Sequence, residues 1–185
     1  GCAPVLRLGG LPRMLAWVDA LGAYEQSGDY GAFAGLLAAE GLPRASADAL
    51  RNAAYLERIG NSEGAKGKLT NVRDALATHD APLGALFRDE LISRLMWATE
   101  GLRGERELAL ARAWLARGDY LRATIYLQEG LVTSATYARR GRPNDRSDRE
   151  SARAAMHEKL SEFKLLERLR NSLAHGQRAE DERVH

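Results

Sequence analysis

From residue 11 onward the apolar residues of this chain return at intervals of three and four, the period of an α-helix rather than a strand. Leu11, Leu15, Val18 and Leu21 make one such face, with Pro12 near its start, where proline is tolerated. Gly28 predicts the end of that helix, and Asp29 predicts the cap of a shorter one through Leu36 and Leu37. Pro43 breaks the chain again, and Ser46 reads as the cap of a helix to about Ile59. Residues 60–68 hold three glycines and read as a loop, with another helix following around Val72–Ala77. Pro82 opens a longer helical pattern through Leu86, Leu91, Leu95 and Trp97, and Gly101 and Gly104 mark its boundary.

The pattern sharpens toward the C-terminus. Leu108, Ala111 and Leu115 form a face that stops at Gly118, and Asp119 is a natural N-cap. Tyr120, Ala123, Leu127, Leu131, Ala135 and Ala138 then repeat at spacings of three and four. Residues 139–153 form a polar break containing Gly141 and Pro143. A final helix carries Met156, Leu160, Phe163, Leu166, Leu169 and Leu173 until Gly176 ends it. Only Pro4-Val5-Leu6-Arg7-Leu8 is strand-like, so the fold class expected is all-α, a multi-helix bundle. Gly-Asp-Tyr occurs at both 28–30 and 118–120, which reads as two similar helix caps rather than a duplication.

Composition narrows the setting. Alanine, leucine, arginine and glutamate dominate, all good helix formers, while valine and isoleucine are scarce. With 45% hydrophobic and 28% charged residues, the chain has the balance of a globular protein. No apolar run approaches the roughly 18 residues of a membrane span. The start, Gly1-Cys2-Ala3-Pro4, lacks the basic region and apolar core of a secretory leader. Cys2 is the only cysteine, so an intrachain disulfide is impossible and a reducing cytoplasm is the expected location. One Cys and four His without ligand spacing predict no metal site and no cofactor. The net charge of +2 is too small to imply a nucleic-acid partner by itself.

The residues that could carry chemistry lie in Leu169-Arg170-Asn171-Ser172-Leu173-Ala174-His175-Gly176. On a helical wheel Arg170 projects beside Leu166, Leu169 and Leu173, so a guanidinium sits on the face that should be buried. Such a charge needs a partner, water or an anionic ligand such as a phosphate. The competing reading is an arginine that snorkels past its leucine neighbours. If that anionic ligand were an RNA phosphodiester, its cleavage without a metal would need a base for the 2′-OH and an acid for the leaving 5′ oxygen. Imidazole can serve either role because it titrates near neutrality. It also needs a cation for the charge that develops on the phosphoryl oxygens, which the guanidinium fork fits. Asn171 and His175 are four apart and share a helix face, so Asn171 could orient the imidazole or hold the phosphate. His79 reads as a solvated turn residue, His157 as surface near a helix start, and His185 as terminal.

This segment resembles the defining motif of HEPN ribonucleases: Arg, four to six residues, then His, often with Asn directly after the Arg. The resemblance implies an all-α HEPN-type bundle with additional N-terminal helices, and catalytic roles for Arg170, His175 and Asn171. It also implies a homodimer in which two motifs meet to make one composite site. Looser similarity links Pro4–Leu8, Leu15-Ala16-Trp17, Gly28-Asp29 and Gly118–Ala123 to the CARF–HEPN effectors of CRISPR type III systems. Members of that group carry a sensor domain that binds cyclic oligoadenylate and switches on the RNase. No alternating β/α half precedes residue 9 here: either a sensor was removed or is disordered, with residues 1–10 as the linker from it, or a sensor never belonged to this protein. Residues 11–104 then form an N-terminal helical part, 105–178 the HEPN core, and 179–185 a tail. Residues 139–153 hold six arginines against three acids, a local net of +3. Arg139, Arg140 and Arg142 are therefore candidate RNA contacts, although an ordinary solvated loop explains them as well. The absence of aromatics there argues against sequence readout. The function expected is an endoribonuclease acting on single-stranded RNA in antiviral defence. A HEPN toxin paired with an antitoxin, or a non-catalytic helical dimerisation module, are the alternatives.

Overall fold

The computed structural model describes residues 10–99 and 101–176. Among these the protein is all-α, with nine α-helices and no strand. The strand-like stretch 4–8, the linker before Gly10 and the tail 179–185 lie outside the described residues. The chain divides into two compact units. The first runs to Leu95 apart from Arg58–Glu63; the second holds Arg58–Glu63 and the chain from Met96 onward.

The first unit contains α1 (Leu11–Ser27), a 3₁₀ turn (Tyr30–Phe33), α2 (Ala34–Ala39), most of α3 (Arg44–Arg58) and of α4 (Ser62–Ala77), and α5 (Pro82–Leu95). Gly28 ends α1 with φ of 68°, a left-handed conformation that suits glycine, and the Asp29 side chain accepts the Gly31 N–H at 2.9 Å. The inward face of α1 is not the expected one. Leu11, Leu15 and Val18 are exposed, and Trp17, Ala20 and Tyr24 are buried instead. The aromatics decide this: Trp17 stacks on Phe87 at 5.1 Å between ring centroids and packs against Phe33, burying more area than the leucine stripe could. Glu40 fastens this unit, accepting the Trp17 indole N–H at 2.9 Å and the Gly84 backbone N–H at 2.8 Å.

Two further expectations need correcting here. Ser46 is not a cap: α3 begins at Arg44, and the Ser46 N–H already bonds to Pro43. Residues 60–68 are not a loop, because α4 starts at Ser62. Ala65, Leu69, Val72 and Leu76 are all buried at spacings of four, three and four. That stripe outweighs the helix penalty of about 1 kcal/mol for each of Gly64 and Gly67.

The second unit contains a 3₁₀ turn (Met96–Thr99), α6 (Arg103–Ala116), α7 (Tyr120–Ala138), α8 (Arg146–Lys159) and α9 (Ser161–Ala174). Its centre is α7, which packs on α6, α8 and α9. Gly104 is the second residue of α6, at the boundary expected there. A Cβ there would stand 3.2 Å from the Gly130 carbonyl and collide with Ser134, so two facing glycines let α6 and α7 approach closely. Val132, Phe163 and Leu166 form a buried cluster joined by Leu131 and Met156. Asp119 caps α7 by accepting the Arg122 N–H, as expected. The polar break is only residues 139–145, since Asp145 caps α8 by accepting the Asp148 N–H. The final helix is two helices. Leu160 is extended (φ −122°, ψ 112°), so Met156 belongs to α8 and Phe163 onward to α9.

Candidate functional site

The wheel placement of Arg170 holds. It is half-buried on α9, one turn past the buried Leu166. The partner its charge requires is Gln128 on α7, whose Oε1 accepts the Arg170 Nε–H at 3.2 Å. Among the described residues, no partner is recorded for the two Nη groups.

Gln128 is itself buried, and its Nε2 donates to Glu167 Oε1 at 3.1 Å. Glu167 also faces Arg153 Nε at 3.4 Å and His157 Nε2 at 3.6 Å. A polar row therefore runs from α8 through Glu167 and Gln128 to Arg170. Gln128, Glu167 and Arg153 escaped the sequence reading. His157 is exposed as expected, but it lies in the last turn of α8 rather than near a helix start. The only local signal was Glu167, three residues before Arg170 and hence on the same face.

His175 is the C-cap of α9, and its backbone N–H bonds to the Asn171 carbonyl at 3.0 Å. Gly176 follows with φ of 64° and stops the helix. Both Asn171 and His175 are exposed. No side-chain bond between them is recorded among the described residues. Five helical steps from Arg170 to His175 turn through about 140° and rise about 7.5 Å. Within one chain the guanidinium is held against α7 while the imidazole stands in solvent at the helix end.

The arginine-rich stretch is largely neutralised. Arg142 ion-pairs with Asp145 at 2.9 Å and Asp148 at 3.3 Å. The Arg142 backbone N–H, and then its guanidinium, hold the Asp148 carboxyl below its ordinary range. Arg139 reaches Ser151 at 3.3 Å, and Arg140 is exposed with φ of 59°. Arg146 pairs with Glu150, Arg149 with Glu129, and Arg153 with Glu167. The stretch is thus a fastened turn followed by a helix, not a free arm, and Arg142 has its charge already engaged.

Beside the site lies an apolar groove of about 550 Å³, walled by Leu108 and Leu115 of α6, Leu127 of α7, and Leu166, Leu169 and Leu173 of α9. These residues belong to the three C-terminal stripes legible in the sequence. The stripes converge on an open groove, and Leu115 and Tyr120 at its edge are more than half exposed. Among the described residues, no group of three or more His, Cys, Asp or Glu could hold a metal ion, and no helix is long and apolar enough to cross a membrane. No protein-family model matches the chain, and comparisons with curated proteins and with solved structures return no match.

Proposed function

We propose that this chain is a metal-independent endoribonuclease of the HEPN type, cleaving single-stranded RNA with Arg170 and His175 as its catalytic pair. The observation that carries this is the state of Arg170: a half-buried guanidinium anchored through Nε, on the same helix that exposes His175 at its end. In the proposed reaction the 2′-OH attacks the adjacent phosphorus, one imidazole takes its proton, and a protonated group releases the 5′ oxygen. The products are a 2′,3′-cyclic phosphate and a free 5′-OH. The Arg170 fork stabilises the charged phosphoryl oxygens through the reaction. Asn171, exposed beside His175, supplies a further hydrogen bond to phosphate or imidazole. On this reading, which rests on the resemblance to CARF–HEPN effectors, the domain serves a CRISPR type III response and is activated through a separate cyclic oligoadenylate sensor.

Because His175 handles the protons and Arg170 the charge, cleavage should not require a bound ion. Purified protein treated with EDTA should cut a generic single-stranded RNA at its untreated rate and leave cyclic phosphate ends. Abolished cleavage with an unchanged circular dichroism spectrum would make the acid–base scheme wrong.

The groove favours assembly with a second copy. An apolar cleft formed by three helices, rimmed by exposed Leu115 and Tyr120, is the kind of surface that another protein chain covers. Two motifs meeting across such an interface would bring a second imidazole toward each guanidinium. Ultracentrifugation at micromolar concentration should show twice the monomer mass, and Leu127→Glu should shift it to the monomer. The same groove also fits a purely structural dimerisation module, which would dimerise without cleaving RNA. An active protein that stays monomeric would overturn the composite site.

A further inference from the structure

We propose that Gln128 is the positioning residue of Arg170, and that it commits the end-on edge of the guanidinium to the phosphoryl group. For its effect on rate, this rests on the ribonuclease reading above.

Gln128 is only 3% exposed and sits among the buried positions of α7. A buried amide is costly unless both of its ends are satisfied, and a leucine or methionine would fill the space without that demand. Here both ends are used. Arginine can only donate and an ionised carboxylate can only accept, so Oε1 must face Arg170 and Nε2 must face Glu167. One amide orientation satisfies both neighbours. Glu167 is held in turn by the ion pair with Arg153. The chain of contacts therefore begins on α8 and ends at the Arg170 Nε.

Occupying Nε has a geometric consequence. A guanidinium presents two bidentate edges, one made by Nε and Nη, the other by the two Nη groups. Gln128 takes the first edge out of use. Two phosphoryl oxygens would then meet the Nη pair, in a plane set by α7. The amide does not touch RNA itself; it acts through Arg170. A lysine at 170 could donate to Gln128, but its ammonium lacks a planar edge held at a fixed angle to that bond, so it cannot present a bidentate pair to the phosphate.

Three measurements on the whole chain test this. The first is the Arg170 Nε–H signal in ¹H–¹⁵N spectra, assigned by its loss in Arg170→Lys and independent of RNA. The second is single-turnover cleavage with RNA affinity measured alongside. The third is thermal unfolding, as a check on folding. Gln128→Met keeps the volume and removes both bonds. It should leave the fold and RNA affinity in place, abolish protection of the Nε–H from solvent exchange, and slow cleavage roughly 10- to 100-fold, the scale of a misplaced catalytic group. The exchanged pair Gln128→Glu with Glu167→Gln again gives every bond a donor and an acceptor. It should restore the Nε–H protection, which a merely space-filling role does not predict. A wild-type rate and an unchanged Nε–H signal in Gln128→Met would overturn the proposal while leaving the ribonuclease reading intact. If the wild type itself cuts no RNA, the ribonuclease reading falls and the Nε–H signal decides whether Gln128 holds Arg170. If Gln128→Met does not fold, the exchanged pair decides: retained protection supports the proposal, and lost protection sinks it.

Discussion

Glu107→Ala should cost about 3–5 kcal/mol of folding stability, the scale for breaking a buried, hydrogen-bonded ion pair from one side. Glu107 is 1% exposed within α6. Its Oε1 accepts from Arg103 Nε at 2.7 Å and Ser62 Oγ at 3.0 Å, and its Oε2 accepts from Thr133 Oγ1 at 2.7 Å. Every lone-pair direction that matters is filled, which is what makes a buried carboxylate tolerable. The network continues outward. Arg103 also donates to the Pro143 carbonyl at 3.3 Å and to Asn144 Oδ1 at 3.0 Å. Arg149 donates to Thr133 Oγ1 at 2.9 Å and to the same Pro143 carbonyl. Removing the carboxylate leaves a largely buried guanidinium and two hydroxyls around an empty space, and it loosens the turn that starts α8. Glu107→Gln keeps the volume and one acceptor, so its cost should be smaller, about 1–2 kcal/mol. Urea unfolding followed by circular dichroism should show both variants with lowered midpoints and unchanged slopes. A Glu107→Ala midpoint equal to that of the wild type would mean that the network contributes nothing net.

What the chain reveals about itself differs by type of interaction. Local chemistry was legible. Gly28-Asp29 and Gly118-Asp119 each stop one helix and cap the next, and both glycines take positive φ, 68° and 74°. Periodicity was legible as helix but not as direction. On α1 the leucine stripe is real, yet two aromatics off that stripe turn the helix around. Glycine content misled at 60–68, where burial of Ala65 and Leu69 overrides local propensity. The break at Leu160 was hidden because the apolar spacing runs straight across it. The Leu160 carbonyl still receives the Lys164 N–H, so no glycine or proline was needed to turn the chain. At the site, the wheel put Arg170 on a buried face and demanded a partner for it. It could not supply Gln128, which lies 42 residues away in sequence and meets Arg170 only through the packing of α7 on α9. Arg103 and Glu107 stand four apart, a spacing common to exposed helix pairs, and it is tertiary structure that buries them.

Arg170 and His175 should both be needed for turnover, and for separable reasons. His175 is exposed at the end of α9, and only its backbone N–H bonds to the helix. His175→Ala should therefore unfold at the wild-type temperature and bind RNA nearly as well, yet cleave roughly 10²-fold or more slowly, as when a general acid or base is lost. Arg170 is different because it is half-buried and shares a bond with an otherwise buried amide. Arg170→Ala should slow cleavage by about 10²–10³-fold, the scale of removing one transition-state donor. It should also weaken RNA binding, and it should cost about 1–3 kcal/mol because the Gln128 oxygen is left buried without a donor. Alanine favours helix, so α9 itself should persist in both variants. Arg170→Lys should recover stability better than rate, since an ammonium can meet Gln128 but cannot present a planar fork to phosphate. Single-turnover cleavage at saturating enzyme, read beside RNA affinity and circular dichroism, separates these effects. Wild-type cleavage by His175→Ala would remove the imidazole from the mechanism. Global unfolding of Arg170→Ala would instead make the guanidinium a structural group, held by Gln128 for the sake of the fold alone.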